Sequence, residues 1–366
     1  MAVETESVPA EEPRPEPRPE PRTENGSGPD APVRRGSEFA ALARTMREAG
    51  LMERRRGYYA VLIGFTAAVF VLAVTGFVML GDSWWSLALA PVFAVLFTHF
   101  GFIGHDAGHG QILSSARGNN ALGYVHGNLL IGLGYGWWTD KHTAHHVNPN
   151  HESRDPDIQI PALAFFADQA RSRRGLAAFT TRHQAVLFFP LLLLEGLSLH
   201  ISAVQSVARD TVRHRGLEVL LLALHAVLYL GTVFAVLSPV TAVVFVLVHQ
   251  GLFGLYLGCS FAPNHKGMPI VSARDQLDPV RRQVLTSRNI RGGVLVDQVL
   301  GGLNYQIEHH LFVRMPRPNL RHAQPLVAEF CARQGISYAM TGLVDSYAQT
   351  LRHLHAAGAP LRAATA

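Results

Sequence analysis

Nineteen of the 366 residues are histidine, and many stand in short, regularly spaced groups. His105 and His109 bound the first group, with Asp106 between them. His142, His145 and His146 make the second, and Gln306, His309 and His310 the third. His265 follows Asn264 on its own. Positions i, i+3 and i+4 of a helix share one face, so the second and third groups each project three side chains together. His105 and His109 are likewise one turn apart. Seven or eight imidazoles, few carboxylates and no thiolates suit iron, zinc or copper rather than calcium or magnesium. One ion takes about four to six ligands, so this supply fits two. A hydrolytic zinc site needs only three protein ligands, and a carboxylate di-iron bundle would carry Glu-x-x-His, which is absent. A histidine-rich di-iron centre is the remaining fit.

Around these residues, Asp106, Asp157 and Glu308 are candidate acceptors for the imidazole N–H groups, with Asp106 the strongest. Glu308 points off the ligand face, and Asp157, in Asp155-Pro156-Asp157, can equally belong to a helix cap. Gln306 and Asn264 stand as possible ligands or as supports. His99, His126, His200, His225 and His249 lie in apolar stretches and are expected as core residues. His225 and His249 are also the only pair placed to hold a haem. His151, His183, His214, His322, His353 and His355 are expected on the surface.

The elements carrying these groups are apolar. The chain is 48% hydrophobic and only 16% charged, against about a quarter charged in average soluble domains. Gly57–Gly81 runs 25 residues without a charge, Ser83–His105 is again uncharged, and Val219–His265 gives 47 uncharged positions interrupted at Ser238-Pro239. A span needs about 20 residues, so these read as two transmembrane helical hairpins, with spans at about 57–81, 83–104, 219–237 and 239–262. Tyr58, Tyr59, Trp84, Trp85 and Tyr256 sit where interfacial aromatics belong. Two weaker stretches, Ala121–Trp138 and His183–Ala208, are expected as interfacial or re-entrant helices. With four spans, the basic loops (Arg54–Arg56, Lys141, Arg171–Arg174, Arg209–Arg215, Arg281 and Arg282) fall on one side, the positive-inside pattern. Both termini and a helical cap bearing all the histidine groups are then cytoplasmic. The expected class is an all-α membrane protein with its domain at 57–345, a basic juxtamembrane segment at 37–56 and a C-terminal tail at 346–366.

Residues 1–36 are Pro-, Arg- and Glu-rich, carry eight acidic and five basic side chains, and are expected to be disordered. The rest is basic, which suits anionic lipid heads; no nucleic-acid partner is expected. Two cysteines, Cys259 and Cys331, exclude a disulfide scaffold and a four-cysteine cluster.

The texts His-Asp-Ala-Gly-His (105–109), His-Thr-Ala-His-His (142–146) and Gln-Ile-Glu-His-His (306–310) resemble the boxes of the membrane fatty acid desaturase family. The likeness runs from about Phe97 to Phe312. Asn304–Phe312 is similar to the acyl-lipid and front-end branch, where glutamine opens the third box, while other members place a histidine at the position of Gln306. Phe261–Pro269 resembles the stretch that supplies an extra histidine ligand, here His265. The resemblance implies two irons and O2 as co-substrate, and a fatty acyl lipid or acyl-CoA as substrate. The product would be a cis double bond or, by rebound on the same scaffold, a hydroxyl group. Electrons must come from a separate ferredoxin, cytochrome or flavoprotein reductase, since no dinucleotide fingerprint, His-Pro-Gly-Gly text or ferredoxin cysteine set is present. Arg171–Arg174 and Arg281–Arg291 are expected docking loops. A membrane metal transporter is the reading from another class, and would place its ligands near mid-bilayer.

Overall fold

A computed structural model describes residues 35–363. The expected disordered tail therefore lies outside the described residues, apart from its last two positions, which open a helix. In chain order come α1 (Arg35–Glu48), α2 (Arg56–Leu80), a 3-10 turn (Trp84–Leu89) leading into α3 (Ala90–Gly108), and α4 (Ala116–Tyr124), continued by a π-helical turn (Val125–Leu130). After a break follow α5 (Tyr135–Val147), a 3-10 turn (Pro156–Ile158), α6 (Ala167–Ser172), α7 (Gly175–Arg182), α8 (Gln184–Leu192) and α9 (Glu195–Ala208). Two long helices come next, α10 (Arg215–Val236) and α11 (Pro239–His265). The last third holds α12 (Pro279–Leu285), β1 (Asn289–Ile290), α13 (Val294–Val299), a 3-10 turn (Leu303–Tyr305), α14 (Gln306–Leu311), α15 (Arg317–Arg333), β2 (Met340–Thr341), α16 (Leu343–Ala357) and α17 (Ala359–Ala363). The strands form one short parallel pair, Asn289 beside Met340 and Ile290 beside Thr341. The protein is all-α in class.

Among the described residues four helical stretches are long and apolar enough to cross a membrane: Arg56–Leu80, Trp84–Gly108, Arg215–Val236 and Pro239–His265. They start and stop where the sequence gives a reason. Gly81, with φ +61°, ends α2 in a conformation that costs a residue with a Cβ. The Ser83 side chain accepts from Trp85 N–H to open the next stretch, and Pro239 sits at the first turn of α11, where no N–H is needed. Both α3 and α11 outrun the expected spans, so His105 and His265 stand on their last turns. The outer faces of α2 and α10 stay apolar: Val61 is 72% and Val227 69% exposed, as an apolar surround requires.

Helix α3 is the axis of the fold. Its Phe97, Phe100 and Ile103 are buried with Tyr59 of α2 and with Phe253 and Leu257 of α11. The stretch His183–Ala208 is two helices, α8 and α9, bent by 69°. Leu193 N–H and Leu194 N–H donate to Pro190 O and Leu191 O, tightening the turn just after the proline. Gly254 of α11 lets this bend come close, because a Cβ there would lie 2.6 Å from Gly196 N and 2.7 Å from Leu192 O. The stretch Ala121–Trp138 is likewise no single helix, since it breaks between the π-helical turn and α5 around Gly132, φ +69°.

Two expectations need correction. Residues 346–363 are no tail: α16 packs Ser346, Thr350 and Leu354 into the interior, and α17 follows it. His151 is buried at 4% exposure and His353 is half-buried, whereas both were expected on the surface. His151 is covered where it bridges in parallel to Val271, and His353 lies on α16 as that helix packs inward.

Candidate metal centre

The eight histidines arrive at one place from four elements. The end of α3 brings His105 and His109, α5 brings His142, His145 and His146, the end of α11 brings His265, and α14 brings His309 and His310. Helical spacing does the local work, because each group occupies about one turn. The imidazoles sort into two sets. Ligand nitrogens of His105, His109, His142 and His309 lie within 4.8 Å of one another, and so do those of His145, His265 and His310. His146 stands between the sets, with its Nε2 3.1 Å from His142 Nε2 and its ring stacked at 4.2 Å on His310.

The protein's own acceptors orient the rings. His145 Nδ1 lies 3.0 Å from both Asp155 oxygens and 3.5 Å from Asp157 Oδ2. His265 Nδ1 faces Thr286 O at 2.9 Å, and His310 Nδ1 faces Gln283 Oε1 at 2.7 Å. Gln283 is itself fixed, since its amide N–H₂ donates to His146 O at 2.7 Å. His105 Nδ1 is 3.2 Å from Asp106 Oδ1, while Asp106 Oδ2 pairs with Arg317 at 2.7 Å and accepts from Tyr59 OH. Each of these four rings thus carries its proton on Nδ1 and turns the Nε2 lone pair inward.

The inward side is then short of donors. His145 Nε2 and His265 Nε2 face each other at 3.3 Å, and Nε2 of His105, His309 and His310 is buried with no hydrogen-bond partner. Burial, reinforced by the neighbouring imidazoles, holds His109, His142, His146, His309 and His310 well below the usual histidine range. Neutral rings with converging lone pairs leave buried acceptors unsatisfied unless a cation sits among them. An all-imidazole donor set in two groups fits two borderline first-row ions.

The remaining candidates take different places around the two sets. Gln306 reaches the second set, its amide nitrogen 2.9 Å from His265 Nε2. Asn264 donates to Gln306 Oε1 at 3.2 Å and stands one step behind it. Burial opposes the charge on Asp155 and Asp157, but His145 beside the first, and Lys141, His145 and Lys266 around the second, outweigh it and hold both carboxyls below their usual range. Glu308 faces away, accepting from Asn289 Nδ2 and Tyr338 OH at 2.7 Å each, and burial pushes it up to about 7.

Sequence reasoning missed four supports: Asp155, Gln283, the Thr286 carbonyl and Arg317. Asp155 had a signal, ten residues after His145 in a turn-forming Asp-Pro-Asp text; the others had none. Of the histidines expected in the core, His200 Nδ1 faces Gly132 O at 3.0 Å and His225 Nδ1 faces Leu129 O at 2.9 Å. His249 Nδ1 lies 2.7 Å from Tyr229 OH, while its Nε2 is buried without a hydrogen-bond partner.

A cavity of about 230 Å³ adjoins both sets. Gly101, Gly104, Ile131, Leu133, Leu199 and Leu257 form its apolar wall, and His105, His142, His145 and His265 open onto it.

Comparison with known proteins agrees with this geometry. The family described as fatty acid desaturase matches residues 82–342, which include all eight histidines. The chain is 32% identical over 277 residues to an acyl-lipid (9-3)-desaturase of Physcomitrium patens, covering 73% of this chain and 52% of that protein. It is 26% identical over 344 residues to a Delta(8)-fatty-acid desaturase of Helianthus annuus, covering 89% and 74%. It is 31% identical over 273 residues to the Delta(5) fatty acid desaturase fat-4 of Caenorhabditis elegans, covering 71% and 60%. The chain thus spans about half the length of the Physcomitrium patens relative and more of the others. With the boxes, the long apolar helices and a family match over most of its length, this chain belongs to the fatty acid desaturase family of membrane proteins.

Proposed function

We propose that this protein is an O2-dependent desaturase that places a cis double bond in a fatty acyl chain, carried on a lipid or on coenzyme A. Two iron ions would be held by His105, His109, His142, His145, His146, His265, His309 and His310, with Gln306 beside the second. The carrying observation is the set of inward Nε2 lone pairs, several of them without any donor, beside an apolar cavity.

When bound, the irons would supply the reduction of O2 by two external electrons, with two protons from solvent, and the removal of two hydrogens from adjacent methylenes, giving a double bond and two waters. The chain's own residues do the rest. Asp155, Thr286 O, Gln283 and Asp106 keep the imidazoles in the tautomer that can bind metal. The wall from Gly101 to Leu257 seats an extended acyl chain and keeps water from the reacting carbons. The fold would sit in the membrane as two hairpins, with both termini and the histidine groups on the cytoplasmic side. Support comes from the contact between the two turns, where Ser238 N–H donates to Asp82 at 2.9 Å, at the helix ends away from the histidines. Electrons would come from a separate ferredoxin, cytochrome or flavoprotein reductase docking on basic loops such as Arg171–Arg174 or Arg281–Arg291.

The test is expression with a compatible reductase, followed by analysis of cellular fatty acids and of metal in the purified protein. A new double bond, iron at about two per chain as the donor count requires, and loss of both in His145→Ala and His310→Ala are expected. His355→Ala, on an exposed face, should change neither. A hydroxylated product would favour the sister reaction, and an active His310→Ala protein would overturn the assignment.

A further inference from the structure

Four charged side chains line the cavity beside its apolar wall and the imidazoles: Lys141, Asp157, Glu195 and Lys266. Nothing in the di-iron reading uses the two lysines. Lys141 lies one turn before His145 on α5, and Lys266 follows His265 at the end of α11. Along α3 and α11 the order is Gly101, Gly104, His105 and Leu257, Ala262, His265, Lys266. The apolar wall therefore lies to one side of the imidazoles, and Lys266 lies beyond them.

The lysines are under-used as donors. An ammonium group has three N–H bonds. Lys141 gives one to the Asp157 carboxylate, and Lys266 gives one to Asp157 O at 3.0 Å, with its Nζ 4.4 Å from the Phe165 ring centre. Lys141 and Asp157 keep 28% and 31% of their side-chain surface accessible, and both line the cavity. Donors left over at the edge of an apolar chamber are free to take up an acceptor that enters it. Two lysines offset two carboxylates, so the group is neutral as a whole and suits a neutral acceptor better than a free carboxylate or a phosphate.

We propose that Lys141 and Lys266, with Asp157 and Glu195, seat the carbonyl at the carboxyl end of the acyl chain, as an ester or a thioester. That seat fixes how far along the chain the reacting carbons meet the imidazoles. The inference rests on the desaturase reading above and adds to it the part of the substrate that is gripped.

The test uses the full chain in membranes with a working donor. Acyl chains of several lengths are offered as phospholipid esters, as coenzyme A thioesters and as free acids, and the double bond is located in each product. The wild-type protein should count from the carbonyl carbon at every chain length. Lys266→Met should keep wild-type iron content, yet raise the apparent KM about tenfold or spread the double bond to neighbouring carbons. A wild-type double bond counted from the methyl end would overturn the seat without any variant. So would an iron-replete Lys266→Met protein with unchanged KM and position. If no arm of the wild-type experiment gives an unsaturated product, the desaturase reading falls first and the seat falls with it.

Discussion

At Asp155 and Asp106 a carboxylate does two jobs. Each holds an imidazole by Nδ1, and each is itself held: Asp155 by the backbone N–H groups of Asn150 and Asp157 at 2.7 and 2.9 Å, Asp106 by Arg317 and Tyr59. Asp155→Asn keeps the shape but weakens the acceptor behind His145. Metal affinity or turnover should fall about 10- to 100-fold, read by titrating iron into the metal-free protein. Asp106→Asn has a different main cost, because Arg317 is buried and would lose its counter-charge. The expected destabilisation is about 3–5 kcal/mol, and replacing Arg317 by Met in the same protein should recover part of it. Thermal unfolding of the single and double variants checks this; equal losses in both would show that the uncompensated Arg317 charge is not the main cost. Residues of this kind were unevenly legible. Asp106 stands inside its box. Asp155 shares its turn text with Asp157, two residues on, and such a text does not say which carboxylate faces back. Gln283 and Thr286 reach the site from α12 and its end, and no spacing in the chain foretells which side chain or carbonyl a distant helix will present.

Elements set where the boxes meet, and their limits follow from ordinary backbone chemistry. Hydropathy located the four long helices to within a few residues because an uncharged run has only one stable form in lipid. It stopped short of His105 and His265, since polar residues on the last turn lower the apolar average while the helix continues. It could not foresee that α16 turns inward, because an amphipathic helix at a chain end looks the same whether it packs or floats. The α8–α9 bend against α11 is the contact on which the cavity wall depends, for Phe188, Leu192 and Leu199 reach the chamber from it. Gly254 makes that approach possible, and the atoms a Cβ would strike are backbone. Gly254→Val should therefore force the bend outward, lowering the midpoint of unfolding in detergent by a few kcal/mol equivalent and narrowing activity to shorter acyl chains. Gly64→Ala, where nothing lies within 4 Å, should leave both unchanged. Equal behaviour of the two variants would show that the close approach carries no load.

For the whole molecule the arrangement across the lipid is the claim with the widest reach. Gly81-Asp82 and Ser238-Pro239 are the turns joining the long helices in pairs, and they touch through Ser238 N–H and Asp82. The histidines stand at the opposite ends of α3 and α11. The basic loops point to this sidedness in the sequence and parity agrees, because an extra span between the second and third boxes would split the ligands between two compartments. The ring contacts tie those boxes together, with His146 and His309 centred 4.8 Å apart and His145 and His310 5.2 Å apart. A membrane-impermeant thiol reagent turns this into a measurement. With Cys259 and Cys331 first replaced by serine, a cysteine at Asp82, which is exposed in the turn, should label in intact cells. A cysteine at Arg314, exposed just past the third box, should label only after the cells are opened. Labelling of both positions from the same side would break the two-hairpin arrangement, and labelling of Arg314 alone in intact cells would invert it. Either result would move the basic loops, and any donor that docks on them, to the wrong compartment for an electron supply from the cytoplasm.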